Sequence, residues 1–177
     1  DNERFLRYHW EIASQSINDR WFFYAKGGDF RQYYGNLDLV IDWSVPARNF
    51  YSNNKTSNLL NKTFWYKEGI TYSAVTSRGT GFRYLPEGCL FDKGGPSINV
   101  SNHLFEILSL FNSVVAQYYF WVFNPSINLQ VKDIKNFPII LSGDDCMRRK
   151  AEESTEIAKE DWDSYETSWD FKRNPLV

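Results

Sequence analysis

The clearest periodic pattern in the chain lies between Ser101 and Phe123. Apolar residues recur there at steps of three and four residues, so their side chains lie on one side of an α-helix. These residues are Leu104, Leu108, Phe111, Val115, Tyr118 and Val122. Ser101 or Asn102 can cap the first turn, and Pro125 prevents the helix from continuing. The pattern therefore predicts one long amphipathic helix over about residues 102–123.

Shorter segments rich in aromatic and β-branched residues predict β-strands, and glycine-containing turns separate several of them. The strand segments are residues 21–24, 37–42, 70–75, 82–85 and 89–92. Together with the helix they predict an α+β (mixed α/β) fold. In this fold a twisted, mostly antiparallel sheet carries the loops, and the helix covers its apolar face.

Two segments have a less regular pattern. Residues 44–69 are rich in Asn, Ser and Lys, which predicts a mobile or inserted loop. Residues 127–140 alternate polar and apolar positions at first, which predicts a short β-prone return after the helix.

The charge distribution suggests a boundary near residue 141. Residues 1–141 hold 14 Lys and Arg against 12 Asp and Glu, whereas residues 142–177 hold 6 against 10. Residues 145–159 predict a charged helix with few apolar positions. We therefore expect one domain over 1–141 and an acidic linker or spacer over 142–177, which leads into the next module of a longer protein.

The predicted helix and its exit carry a long phrase in a fixed order. Its members are Leu108, Leu110, Phe111, Asn112, Ser113, Tyr118, Asn124, Pro125, Asn128, Gln130, Asp133, Ile134, Lys135, Asn136, Phe137, Pro138 and Ile139. This phrase resembles the closing segment of target recognition domains in Type I restriction specificity subunits and in fused adenine methyltransferases.

Two further phrases resemble the large phage-defence adenine methyltransferases of the BREX type. The first is YAKGG followed by FRQYYGN over residues 24–36, and the second is KEDWDS followed by YETSWDF over residues 159–171. With the segments around residues 70–97, these phrases cover most of the chain.

The resemblance implies a role in reading DNA for an enzyme that methylates adenine at N6. The parent enzyme would transfer a methyl group from S-adenosylmethionine, and this chain would select the target site without binding a cofactor. Double-stranded DNA, the parent's catalytic domain and other defence-system subunits would be its partners, in the bacterial cytoplasm.

Composition narrows the class of protein. The length suits one domain with a buried core, either alone or with an appendage. Aromatic residues make up 18% of the chain, although the mean hydropathy is -0.51. The two cysteines and two histidines lie far apart, which argues against a disulfide framework or a zinc site and favours a reducing cytoplasm. No apolar run is long enough to predict a membrane span.

The sequence lacks the phrases that methyl transfer to adenine requires. The loop that holds a flipped adenine has the form (N/D)-P-P-(Y/F/W), and the nearest segment, Asn124 to Ile127, lacks the second proline and the aromatic residue. It therefore predicts a helix stop. A G-x-G-x-x-G cofactor loop after a strand is also missing. We expect this chain to be non-catalytic and to hold no metal.

Residues that could read DNA lie on the predicted turns and loops. Arginine and glutamine can contact base edges, and lysine and backbone amides can contact phosphates. The candidates are Lys26, Arg31, Gln32, Tyr33, Ser77, Arg78, Thr80, Arg83 and Lys93. The two Lys-Gly-Gly turns can either cradle phosphates or serve as ordinary turns. We expect Asn128 and Gln130 to serve backbone hydrogen bonding instead.

Two other functions remain open from the sequence. The near-neutral charge and the aromatic excess also suit a module that docks other subunits. Displayed Trp and Tyr side chains suit a carbohydrate-binding module, although nothing in the sequence suggests secretion.

Overall fold

The computed structural model describes residues 2–57, 59–77, 79–141 and 145–176. Within these ranges the fold is α+β, as the sequence predicts, but the strands form two sheets where we expected one. The strands are β1 (Leu6–Tyr8), β2 (Trp21–Ala25), β3 (Leu39–Asp42), β4 (Gly69–Tyr72), β5 (Phe82–Leu85), β6 (Leu90–Phe91) and β7 (Ser97–Ile98). The helices are α1 (Asn2–Phe5), α2 (Val45–Asn53), α3 (Leu104–Asn112), α4 (Val114–Phe123), α5 (Val131–Lys135) and α6 (Asp145–Asp163).

The first sheet has the strand order β1-β3-β2-β6. The strands β2 and β3 pair antiparallel with Phe22 opposite Ile41, and β6 joins the other edge of β2 in a parallel pair. The second sheet has the order β5-β4-β7 and is antiparallel throughout. Both sheets together match the prediction that the pairing is mostly antiparallel.

The helices after residue 103 cover the second sheet and close the main hydrophobic core. Ile70 of β4 and Phe82 of β5 are fully buried there, against Leu108 and Phe111 of α3 and Phe120 of α4. The α3 half of the predicted helix thus buries the expected stripe.

The predicted long helix is wrong in one respect, because it is broken at Ser113. This residue is extended (φ -70°, ψ 153°), and its hydroxyl donates to the Leu110 carbonyl at 2.6 Å and accepts from the Ala116 amide at 3.2 Å. Serine competes in this way with the helical backbone, so it ends one helix and caps the next. The break reorients α4, which buries Ala116 and Phe120.

The predicted inward positions of α4 are instead exposed. The exposed fraction is 74% for Val115, 66% for Tyr118 and 48% for Val122. The helix therefore carries apolar side chains on both its buried and its solvent-facing sides.

The two irregular segments contain helices that the sequence pattern did not predict. The helix α2 begins at Ser44, whose hydroxyl accepts from the Ala47 amide at 3.4 Å. The residues after the main helix form α5, because Asp133 accepts from the Gln130 amide at 2.9 Å and caps the turn. In place of the expected strand, this segment forms an isolated β-bridge between Asn128 and Val75.

The helix α6 packs along α3, and its inner side is buried. Ala151 and Thr155 face the body of the domain, and Trp162 lies in a core cluster with Ala25, Tyr34, Leu37, Leu85 and Cys89. That residues 142–177 lead into a further module stays a prediction. None of the helices in the described ranges combines the length and the apolarity needed to cross a membrane.

Candidate nucleic-acid interface

Two Lys-Gly-Gly turns lie side by side where the parallel strands β2 and β6 end. A Cβ atom added to Gly27 would lie only 2.8 Å from the carbonyl oxygen of Gly94, so only glycine allows this approach. Gly27 also has a φ of +90°, which glycine adopts without strain. The packing brings Lys26 and Lys93 to the same edge of the sheet, where loops after parallel strands often bind ligands.

The second turn already holds an internal anion. The Asp92 carboxylate accepts from the Gly94 amide at 2.7 Å and from the Gly95 amide at 3.1 Å. These amides are therefore satisfied by the protein itself, and this turn is not an empty phosphate cradle. Its lysine, Lys93, is exposed.

Arg83 lies beneath the turns and is 1% exposed. Its guanidinium donates to the Gly81 carbonyl and to the Ser73 hydroxyl, both at 3.3 Å, and Ser73 in turn donates to the Gly28 carbonyl at 3.0 Å. Among the described residues it forms no ion pair with a carboxylate, and burial, followed by the charge of Arg31, lowers its pKa to about 10. In this arrangement Arg83 supports the first turn from inside.

The predicted residues Arg31, Gln32 and Tyr33 connect the turns to the helices. The Arg31 guanidinium pairs with Asp161 at 3.4 Å and lies 4.7 Å from the Trp162 ring centroid. The Gln32 amide donates to the Asn112 carbonyl at 3.4 Å. The Tyr33 backbone continues the second sheet beside β5, and its φ is +67°. All three side chains are half-buried.

The loop over residues 76–80 is held at both of its ends. At the first end, Val75 pairs with Asn128, and the Thr76 amide donates to the Ile127 carbonyl at 2.9 Å. At the other end, Gln117 of α4 accepts from the Thr80 amide at 3.2 Å and donates to its carbonyl at 2.8 Å. Ser77 is exposed and Thr80 is buried. The predicted reader Arg78 lies outside the described residues.

The loop and the paired turns are neighbours, because the residues that follow β4 connect them. The Ala74 amide donates to the Gly94 carbonyl at 3.0 Å, and its own carbonyl accepts from the Leu129 amide at 2.9 Å. The fold thus brings Lys26, Lys93 and Ser77 to adjoining loops, whereas Arg83 and Thr80 lie in the supporting layer.

Sequence reasoning missed the residues that position these loops. Asn112 accepts from the Phe82 amide at 3.0 Å and donates to its carbonyl at 2.9 Å, so it ties α3 to β5. Gln117 ties α4 to the loop in the same way. The Asn128 carbonyl accepts from the Asn124 side chain at 3.0 Å and the Gln130 amide donates to Asp133 at 2.9 Å. Both contacts use backbone atoms, so the expected role of the two side chains stays a prediction. For Asn112 the sequence held a signal, because this carboxamide follows Leu110 and Phe111 in the phrase that resembles target recognition domains.

The described residues contain no group of three His, Cys, Asp or Glu side chains that could hold a metal ion. His9 lies 2.8 Å from the Thr167 carbonyl through its Nε2, and His103 pairs with Glu106 at 3.0 Å. Cys89 is buried, and burial raises its pKa to about 12, so its thiol stays protonated at neutral pH.

The chain is similar to a segment of two large bacterial enzymes, although no family model matches it. It is 33% identical over 183 aligned positions to the adenine-specific methyltransferase BrxX of Escherichia coli O9:H4 (strain HS). It is also 33% identical over 174 positions to the adenine-specific methyltransferase PglX of Lacticaseibacillus casei (strain Zhang). These alignments include 98% and 93% of this chain but only 15% and 14% of the relatives, so the chain spans about one seventh of their length.

Proposed function

We propose that this chain is the DNA target recognition domain of an adenine-N6 methyltransferase of a phage-defence or restriction–modification system. The loops around Lys26, Lys93 and Ser77 contact duplex DNA, and a catalytic domain elsewhere in the parent polypeptide methylates the selected adenine with S-adenosylmethionine. Lys26 and Lys93 contact phosphates, while residues of the 76–80 loop lie towards the bases.

The similarity to BrxX and PglX over nearly the whole chain is the observation that carries this proposal. The geometry supports it, since loops that are fixed at both ends by a rigid scaffold suit sequence-specific reading. In this proposal Arg83, Gln117 and Asn112 position the loops, and the half-buried Arg31, Gln32 and Tyr33 join them to α3 and α6.

A domain exchange between full-length relatives tests the proposal. Residues 1–141 of this chain replace the aligned segment of a relative that methylates a known site, and sequencing that detects N6-methyladenine reads the new site. We expect the recipient to methylate a different sequence. Continued methylation of the recipient's original site by the folded chimera would contradict the proposal.

The apolar outer side of α4 favours a second function, which is docking within the parent polypeptide. Val114, Val115 and Trp121 are 84%, 74% and 64% exposed, and a helix that is apolar all round is normally buried. The relatives are about seven times as long as this chain, so most of a similar polypeptide is available to cover this side. We therefore assign this side to contact with another segment of the same polypeptide.

Exchange of apolar for polar side chains on α4 tests the docking function in the full-length parent. Val115→Lys with Trp121→Ser should loosen the domain, which limited proteolysis of the parent would detect as faster release of this segment. A matched double variant on the exposed side of α6, Glu153→Lys with Glu156→Ser, should leave the proteolysis rate unchanged. Equal proteolysis rates for the unsubstituted parent and both double variants would contradict the docking function.

A further inference from the structure

A cavity of about 250 Å³ lies between the first sheet and residues 56–57 and 59–65, next to the second Lys-Gly-Gly turn. Seven aromatic side chains contribute to its walls, and among them are Tyr24, Trp43, Tyr51, Phe64 and Trp65. The core under α3 is filled by side chains, whereas this part of the protein keeps an unfilled space.

The aromatic walls favour a flat ring as the occupant. The rings of Trp43 and Trp65 meet edge to face at 4.8 Å, and those of Trp43 and Tyr51 are tilted by 35° at 5.8 Å. Phe64, which is 45% exposed, stands at the open side. A flat ring that enters the cavity can stack on an aromatic side chain of its wall, and each such contact adds about 1–3 kcal/mol to single-strand binding in other proteins.

Polar groups line only part of the cavity, and they differ in chemistry. Asp92 supplies a carboxylate that is fixed by its bonds to the Gly94 and Gly95 amides. Thr56 and Ser57 supply hydroxyls, and exposed Lys93 supplies a cation. A carboxylate accepts hydrogen bonds from amino groups, and a lysine pairs with phosphate.

We propose that this cavity binds a nucleobase, which stacks on the aromatic walls, donates from its exocyclic amine to Asp92, and places its phosphate beside Lys93. Two sources share this chemistry, namely a base that leaves the DNA stack and a free nucleotide. Only the first source depends on the proposed function, since a free nucleotide would bind whether or not the chain reads DNA.

Titration of the 177-residue chain with dAMP, deoxyadenosine and dTMP tests the proposal through tryptophan emission. We expect saturable quenching by dAMP, with weaker binding of deoxyadenosine, which lacks the phosphate, and of dTMP, whose base lacks an amino group. Lys93→Ala should equalise dAMP and deoxyadenosine. Asp92→Asn, which keeps an oxygen for the turn amides, should reduce the preference for dAMP over dTMP.

A blocking variant locates the binding without removing any wall of the cavity. Ser57→Phe places a ring in the cavity, and we expect it to weaken dAMP binding about tenfold or more, the loss of one stacking contact. The control Ser14→Phe adds the same ring at an exposed position, and its affinity for dAMP should stay within about twofold of that of the unsubstituted 177-residue chain. Circular dichroism confirms that both variants fold.

Competition with DNA identifies the source of the base. If duplex DNA displaces dAMP from the unsubstituted chain and binds the Ser57→Phe variant more weakly than that chain, the base comes from DNA. If dAMP binds and duplex DNA leaves it in place, the site takes free nucleotides. The absence of saturable quenching by dAMP at millimolar concentration, or an unchanged affinity in Ser57→Phe, overturns the proposal. The domain exchange between full-length relatives tests the DNA-reading function independently of these nucleotide-binding measurements.

Discussion

Two of the hydrophobic regions of this protein are built from similar residues but packed in different ways. Under α3 and α4, aromatic and aliphatic side chains fill the space over the second sheet, and Ile70, Phe82 and Leu108 have no exposed surface. Over the first sheet, the cluster around Trp43 and Tyr51 is closed by residues 56–57 and 59–65 and keeps a cavity of about 250 Å³. Helices bring regular ridges onto a sheet and fill it, whereas an irregular segment leaves room for a ligand.

The largest expected effect comes from removing a ring in the filled region. Phe82 contacts Tyr72, Phe111 and Phe120, so Phe82→Ala should lower the free energy of unfolding by about 3–5 kcal/mol. Phe64→Ala removes the same ring at the open cavity and should cost less than about 1 kcal/mol. Chemical denaturation measures both. Equal losses would contradict the contrast between the two regions.

The opposite change, a larger side chain, should have different effects in the two regions. Leu108→Phe overfills the closed core and should destabilise the fold by about 1–3 kcal/mol. Leu60→Phe adds volume beside the cavity, where there is room, so its effect should be within about 0.5 kcal/mol of zero or stabilising. Thermal unfolding of the pair gives a direct comparison. Strong destabilisation by Leu60→Phe would show that the cavity is closed in solution.

A buried hydroxyl in the filled region makes its stability sensitive to high pH. The Tyr72 hydroxyl is buried without a hydrogen-bond partner among the described residues, and burial, followed by the charge of Asp133, raises its pKa to about 12 from 10.0. The folded chain therefore keeps a proton that the unfolded chain releases above pH 10.0, so this group's contribution to stability is present below that pH and falls as pH rises towards 12.

Tyr72→Phe tests this reasoning. Removal of an unsatisfied hydroxyl should raise the free energy of unfolding by about 1 kcal/mol at neutral pH. It should also reduce the loss of stability between pH 10 and pH 12. Denaturation curves at several pH values provide the measurement. A neutral-pH loss above about 1 kcal/mol would mean that the hydroxyl has a partner in solution, such as water.

The smallest effect is expected on the outer side of α4. Val115→Thr leaves the buried side of the helix intact, so the free energy of unfolding of this chain should change by less than about 0.5 kcal/mol. Val→Thr at a filled position costs far more, because it buries a hydroxyl. A large loss for Val115→Thr in the isolated chain would show that this side is covered there already.

The sequence predicted the parts of the fold that depend on local periodicity. The α3 stripe and the strands around Trp21, Ile70 and Phe82 follow directly from spacing and residue type. The break at Ser113 was missed because one hydroxyl hydrogen bond outweighs a continuous apolar pattern. The cap at Ser44 was missed for a similar reason, since the polar composition around α2 is typical of loops.

The candidate site was only partly predictable, because its geometry depends on contacts between distant segments. Lys26 and Lys93 were both chosen from their turns, but their proximity results from the parallel pairing of β2 and β6. Arg83 was chosen as a surface residue, and alternation along a short strand does not reveal that both faces of β5 are covered. The cavity beside Trp65 has no signal in the sequence, since it arises from how an irregular segment lies on a sheet.

The anchoring of residues 75 and 80 has a practical consequence for protein engineering. Because Asn128 and Gln117 fix the two ends independently, the stretch between them can be exchanged or lengthened as a cassette while the rest of the domain stays in place. A library confined to residues 76–79 would therefore vary the presented surface on a constant frame, and under the proposed function it would be a source of new methylation specificities.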